Sequence, residues 1–250
     1  MLREVVARFE EEARTRNQYA YLRFHERREL SADGRLKKQQ SWLVRQSLVD
    51  GFMVERLIER DGRPLSADER DRNEARLRKA VDEFKALSAA ERERHREEER
   101  RKYAEENAWL KELPEALDCQ LVGEETLNGR AVQVFAFWPR PGYQPRNLRT
   151  RAFQKVTGRL WIDKEEREMV RLQAEMFADV VVGWGLIGRF FKGTRVAIER
   201  QRAQPKVWLT ISEVVRFAGR ILLVKSINEE GTTRYSEYRH RSEVEQAAAQ

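Results

Sequence analysis

Four short turns constrain this chain more than any other feature. Asp33-Gly34, Asp50-Gly51, Asp61-Gly62 and Asn128-Gly129 each stand between runs of alternating apolar and polar residues. A two-residue hairpin turn needs positive φ at its central residues, and Asp or Asn followed by Gly tolerates it best. The spacing predicts a meander of long antiparallel strands from Tyr19 to Glu59. A second β region starts near Cys119 and returns through Val132–Trp138. Further runs are predicted at Arg159–Asp163, Met169–Phe177, Thr194–Arg202, Lys206–Arg216, Arg220–Asn228 and Thr232–Arg239, punctuated by Pro205, Gly219 and Gly231. The count is about nine to eleven strands in one large curved sheet.

Helical periodicity marks the remainder. Leu2, Val5, Val6, Phe9 and Ala13 form one stripe of an amphipathic helix that Asn17 ends. Ser66-Ala-Asp-Glu69 and Ser88-Ala-Ala-Glu91 are capping boxes, so a helix starts at each and the chain bends between them. Leu77, Val81, Phe84 and Leu87 give the first of these a buried stripe. The second, Arg92–Glu106, is polar all round apart from Tyr103 and must face solvent. Trp109, Leu110 and Leu113 return to the core, and Pro114 is expected to end the helix. Pro139–Asn147 reads as a loop and Leu148–Val156 as a short helix. The fold class is therefore α+β: an antiparallel sheet with covering helices, one domain over 1–250, and a charged helical insertion at about 66–113.

Charge decides which partners the sequence favours. The 250 residues hold 49 Lys+Arg against 42 Asp+Glu, a net +7, and 36% are charged against roughly 25% in an average domain. Ser66–Glu112 contributes 13 basic and 14 acidic residues, so it is almost neutral, whereas 21 basic face 13 acidic from Arg140 onward. Arg195, Arg200, Arg202, Lys206, Arg216 and Arg220, with Trp208 and Phe217, could form a stripe for single-stranded nucleic acid. Arg and Glu alternate over the same strands, which makes this the third reading.

No nucleophile elbow, Walker loop, dinucleotide fingerprint or zinc-binding helix is present, so no catalytic residue, metal site or cofactor is expected. Cys119 sits in a strand-like run and reads as a small buried hydrophobe. His25, His95 and His240 are far apart and lack ligand spacing. No apolar run reaches the roughly 18 residues of a membrane span. The charged N-terminus lacks a signal-peptide core. The chain is expected either to be cytoplasmic or to begin after a removed signal.

Phe177-Ala-Asp-Val-Val-Val-Gly-Trp-Gly-Leu-Ile-Gly-Arg-Phe-Phe191 is the most unusual stretch. It reads either as a buried connection or short helix filling the core, or as a mobile apolar lid over a cavity. Apolar pockets are lined by hydrophobic and aromatic side chains. The candidate ligand-binding residues are Phe135, Phe137, Trp138, Trp161, Phe177, Trp184, Leu186, Phe190, Phe191 and Trp208. The first helix and Gly183–Gly193 are the candidate lids.

Gly158-Arg-Leu-Trp-Ile-Asp-Lys164, followed by Glu-Glu-Arg-Glu-Met-Val-Arg-Leu172, resembles a hairpin of bacterial outer-membrane lipoprotein-sorting and carrier-like (LolA/LolB-like) envelope proteins. Tyr19-x-Tyr, Asp33-Gly34-Arg35 and Leu57–Leu65 are similar to an uncharacterised branch of that group. The resemblance covers nearly the whole chain. It implies an incomplete antiparallel barrel, a cavity accepting acyl chains, and a periplasmic location behind a cleaved signal. The expected function is a non-enzymatic carrier for a lipid or the acyl chain of a lipoprotein, active as a monomer, with basic residues at the rim suiting anionic headgroups. The alternative is an envelope interaction module with a filled core, whose protein partner binds the charged helix.

Overall fold

A computed structural model describes residues 1–16, 18–49, 52–147, 150–182, 188–221 and 225–240. The first hairpins lie where the turn dipeptides put them: β1 (Tyr19–Leu30), β2 (Leu36–Val49), β3 (Phe52–Arg60) and the two-residue β4 (Arg63–Pro64). Asp61 and Gly62 both take positive φ, as do Asn128 and Gly129, whereas at Asp33-Gly34 only the glycine does. Asp50-Gly51 lies outside the described residues.

α2 (Ala67–Ala86) and α3 (Ala89–Glu106) start at the two capping boxes, with Ser66 Oγ accepting from Glu69 N and Ser88 Oγ from Glu91 N. Leu87 is extended, which breaks the helix between them. A 3₁₀ turn (Ala108–Glu112) then leads into the four-residue α4 (Leu113–Ala116). Pro114 therefore opens a helical turn instead of closing one. In a first turn its missing N–H has no intrahelical partner to lose.

The second half forms β5 (Leu117–Leu127), β6 (Arg130–Pro139), a 3₁₀ turn (Thr150–Lys155), β7 (Val156–Asp163) and β8 (Met169–Met176). It continues with β9 (Val180–Val182), β10 (Gly188–Phe190), β11 (Arg195–Gln204), β12 (Val207–Ile221) and β13 (Lys225–His240). The described residues thus hold 13 strands in an antiparallel α+β arrangement, more than the sequence suggested. Gly219 and Gly231 lie inside β12 and β13, so four expected runs are three long strands. At Gly219 a Cβ would stand 2.7 Å from Arg189 O and 2.9 Å from the Phe217 ring, so the missing side chain makes room for a neighbour.

The strand order is β4-β3-β2-β1-β13-β12-β11-β8-β7-β6-β5, with β10 attached to β12 and β9 to β10. β4 and β5 stand at the two ends of that order, so the sheet is not closed. Pro64 occupies one end, and at the other a bulge leaves Val122 without a partner on β6. The chain divides into two compact units: Met1–Glu12, Arg27–Gln39 and Trp109–Thr233 form one, and Ala13–Glu26, Gln40–Ala108 and Arg234–Gln250 the other.

In the second unit, Phe52 stacks on Phe84 with ring centroids 4.6 Å apart, and His95 meets both rings edge-on. Asn73 Nδ2 donates to Leu57 O at 3.3 Å, and Arg56–Glu74 and Arg60–Glu69 pairs tie α2 to β3. α3 has no buried residue. The first unit carries the main core, where α1 (Leu2–Arg16) places Met1, Leu2, Val5 and Phe9 on the sheet.

Candidate ligand-binding site

Successive side chains on a strand point to opposite faces, and β6 divides the candidate aromatics that way. Phe135 and Phe137 point to the face covered by α1, where they join Leu117, Leu160, Ile162, Met169, Leu172 and Ile198. Trp109 and Phe153 lie over the same cluster with ring centroids 5.8 Å apart. Phe137 reaches this position because β7 has a glycine beneath it. A Cβ at Gly158 would lie 2.1 Å from Gln173 O and 2.5 Å from the Phe137 ring. Cys119 packs at the margin of the cluster, and burial raises its thiol pKa. The chain's own side chains therefore fill the face beneath α1.

Trp161 and Trp208 belong to the other face, with Val132, Val134 and Val170. Beside them is a pocket of about 120 Å³ lined by Leu127, Asn128, Arg130, Val170, Arg200, Gln201, Arg202 and Trp208. Pockets for small molecules span roughly 300–1,000 Å³, so this one is a crevice between paired side chains. Trp138 points away from Phe137 and is exposed at the end of β6. The eight candidates among the described residues thus do not converge on one cavity.

Within 177–191 the described residues include two short strands, and residues 183–187 lie outside the described residues. β9 and β10 pair as an antiparallel hairpin, and β10 continues onto β12 with Phe190 opposite Gly219. Phe190 packs on Met176 and Val180 and meets Phe217 edge-on. Asp179 closes the base of the hairpin, accepting from Arg189 Nε at 2.9 Å and Lys192 N at 2.7 Å. Arg189 also lies over the Phe191 ring, 5.7 Å from its centroid. Phe177 is exposed at the end of β8. Trp184 and Leu186 lie outside the described residues.

The sequence reading missed the most organised polar site, which is the β7–β8 turn. Asp163 is 1% exposed and accepts two bonds from Arg130, at 2.6 and 3.0 Å, and two from the backbone N–H groups of Glu165 and Glu166. Burial pushes its carboxyl pKa up, but Arg130 and those donors outweigh it and hold it below the ordinary value. Glu166 accepts from Arg202 Nε at 2.8 Å and Trp208 Nε1 at 2.6 Å. Its pKa also lies below the usual value despite burial. Glu168 meets buried Arg200 at 3.2 Å and Arg8 of α1 at 3.5 Å. There burial wins, and the carboxyl pKa is raised. Asp-Lys-Glu-Glu-Arg-Glu was visible in the sequence, but its partners lie more than thirty residues away.

These pairs also remove Arg200 and Arg202 from the expected nucleic-acid stripe. Another buried carboxylate, Glu112, accepts from Tyr143 Oη and from Asn147 Nδ2 at 3.3 Å, pinning the 139–147 loop. Burial and that carboxylate push the Tyr143 pKa up to about 12. Among the described residues there is no cluster of three or more His, Cys, Asp or Glu side chains able to hold a metal, and no helix long and apolar enough to cross a membrane.

No family model and no curated protein matches the chain. Among solved structures it is similar to a putative outer membrane lipoprotein-sorting protein domain from Vibrio parahaemolyticus, at 10% identity. That likeness covers 96% of this chain and 94% of the other, with a TM-score of 0.36. A DUF1329 family protein from Desulfovibrio piger matches at 11% identity over 94% and 92% of the two chains, with a TM-score of 0.28. The MucA/MucB complex of Pseudomonas aeruginosa matches at 14% identity over 92% of each chain, with a TM-score of 0.25. All three values lie below 0.5, and no functional assignment follows from them.

Proposed function

We propose that this chain is a non-enzymatic binding protein that shelters an apolar ligand, an acyl chain of a lipid or acylated protein, on the sheet face beneath α1. The observation carrying this reading is the make-up of that contact. α1 meets an extensive apolar surface through Met1, Leu2, Val5 and Phe9, while the ion pairs Arg8–Glu168 at 3.5 Å and Glu4–Arg167 at 3.7 Å tie it to the β7–β8 turn. An acyl chain replacing the helix would regain about 0.8 kcal/mol per buried CH₂, so roughly ten methylenes offset a large part of the lost contact. α1 acts as the lid, and the ligand takes its place. An envelope location belongs to the same reading and is supported by the sequence resemblance.

Displacement of a fluorescent fatty acid from the full chain tests it. Saturable binding that tightens in Phe9→Ser, which loosens α1, is the expected result. Absence of saturable binding in both proteins overturns the reading. A second reading, a partner-binding module, is favoured by one observation: none of the 18 residues of α3 is buried. Reversing the charges of Arg94 and Arg101 would then abolish partner capture from an envelope extract without changing fatty-acid binding.

A further inference from the structure

The strand register places four arginines together on one face. Arg195 of β11 stands directly opposite Arg216 of β12, and Arg189 of β10 directly opposite Arg220 of β12. Directly opposed side chains in an antiparallel pair lie about 4.5–5.5 Å apart at Cβ, and like charges there are destabilising. Arg216 and Arg220 are four residues apart on one strand and share a face. Phe190 and Phe217, with the opposite alternation, pack together on the other side. The acidic groups nearby are few. Asp179 holds Arg189, Glu230 is shared between Arg195 and Arg28, and Glu175 is in register with Arg195. Among the described residues, neither Arg216 nor Arg220 has an ion pair or side-chain hydrogen bond.

Apolar side chains accompany this charge. Val181 is in register with Arg189 and 45% exposed, Phe191 lies under the Arg189 guanidinium, and Phe177 is 44% exposed at the end of β8. Two repulsive cross-strand pairs without sufficient counter-charge, next to exposed apolar groups, are poor for stability alone. They suit a surface that supplies anions and a boundary into which small apolar groups can dip.

The geometry points to the β9–β12 corner as a docking surface for a membrane bearing anionic lipid headgroups. The headgroup phosphates neutralise the opposed arginines, and Val181 and Phe177 contact the acyl boundary. Each cation near an anionic membrane strengthens binding severalfold, and salt screens the effect. The inference does not depend on a ligand beneath α1, because vesicle binding and fatty-acid displacement can fail separately.

The test is co-sedimentation of the full chain with vesicles of phosphatidylcholine containing about one third phosphatidylglycerol. Binding is expected at low salt, is lost at high salt, and is absent with pure phosphatidylcholine. The double variant R216Q/R220Q should bind about tenfold more weakly, while R70Q/R78Q, an equal charge change on α2, should stay within about twofold. Removing like-charge pairs should leave the melting temperature of R216Q/R220Q equal to or above the parent's, so weakened binding would not reflect unfolding. Val181→Ser should weaken vesicle binding and leave oligothymidylate binding unchanged. No vesicle binding at low salt, or equal losses in the two double variants, overturns the proposal. So does oligothymidylate binding that needs Arg216 and Arg220 when vesicles are not bound.

Discussion

The β7–β8 turn and α3 are both crowded with Arg and Glu, but the same residue types do different work in them. In α3 every side chain reaches solvent, and the pairs Arg96–Glu93, Lys102–Glu98 and Arg101–Glu105 join exposed neighbours on one helix. Such pairs contribute little because water already solvates both partners. In the turn, Asp163, Glu166 and Glu168 are withdrawn from water and held by arginines from β6 and β11. A buried pair is no strong source of stability, but breaking it strands a charge. Charge density alone therefore says nothing about structural weight. Location decides it.

The largest expected effect is Asp163→Asn, which leaves Arg130 facing a neutral amide and should lower the unfolding free energy by about 3 kcal/mol in a urea titration. A loss no larger than that of a surface substitution would put the turn in the same class as α3. The next effect is pH dependence. Asp163 and Glu166 have folded pKa values below their unfolded ones, so their contribution is complete above the unfolded carboxylate range near 4 and disappears as pH falls through the folded values. Glu168 has the opposite sign. Its folded pKa is raised, so its contribution is greatest in acid and declines as pH rises from about 4 through the folded value. Asp163→Asn should flatten the acid limb of stability against pH, and an unchanged limb would show that these carboxylates do not set it.

Ser88→Ala is smaller still. It removes a cap of α3 and should cost about 1 kcal/mol of local helix stability, seen as faster amide exchange in the first turn. Glu93→Gln, which breaks the pairs to Arg96 and Arg100, should leave the global unfolding midpoint unchanged. A measurable shift would mean that the arm's surface pairs form a cooperative network.

What was legible in the sequence was local. The capping boxes, the amphipathic α1, the solvated α3 and the Asn128-Gly129 hairpin all follow from residues within a few positions of one another. The faces of β6 were not legible, because Val132, Val134, Phe135 and Phe137 make both alternations apolar. Gly219 read as a breaker because its reason for being glycine, the closeness of Arg189 O, comes from another hairpin. The carboxylates of the turn were equally opaque, since Arg130 and Arg202 approach from 33 and 36 residues away. The ligand candidates scattered for the same reason: aromatic content marks burial but not the direction of it.

The two ends of the strand order have a consequence for the protein in a crowded compartment. An unpaired edge offers a row of backbone donors and acceptors to any other extended chain. Pro64 withholds a donor at one end, and the unpartnered Val122 interrupts the repeat on β5 at the other, beside the exposed Leu121. Both features shorten the regular ladder that an incoming strand could extend. Each thereby limits edge-to-edge association of a sheet that is not closed.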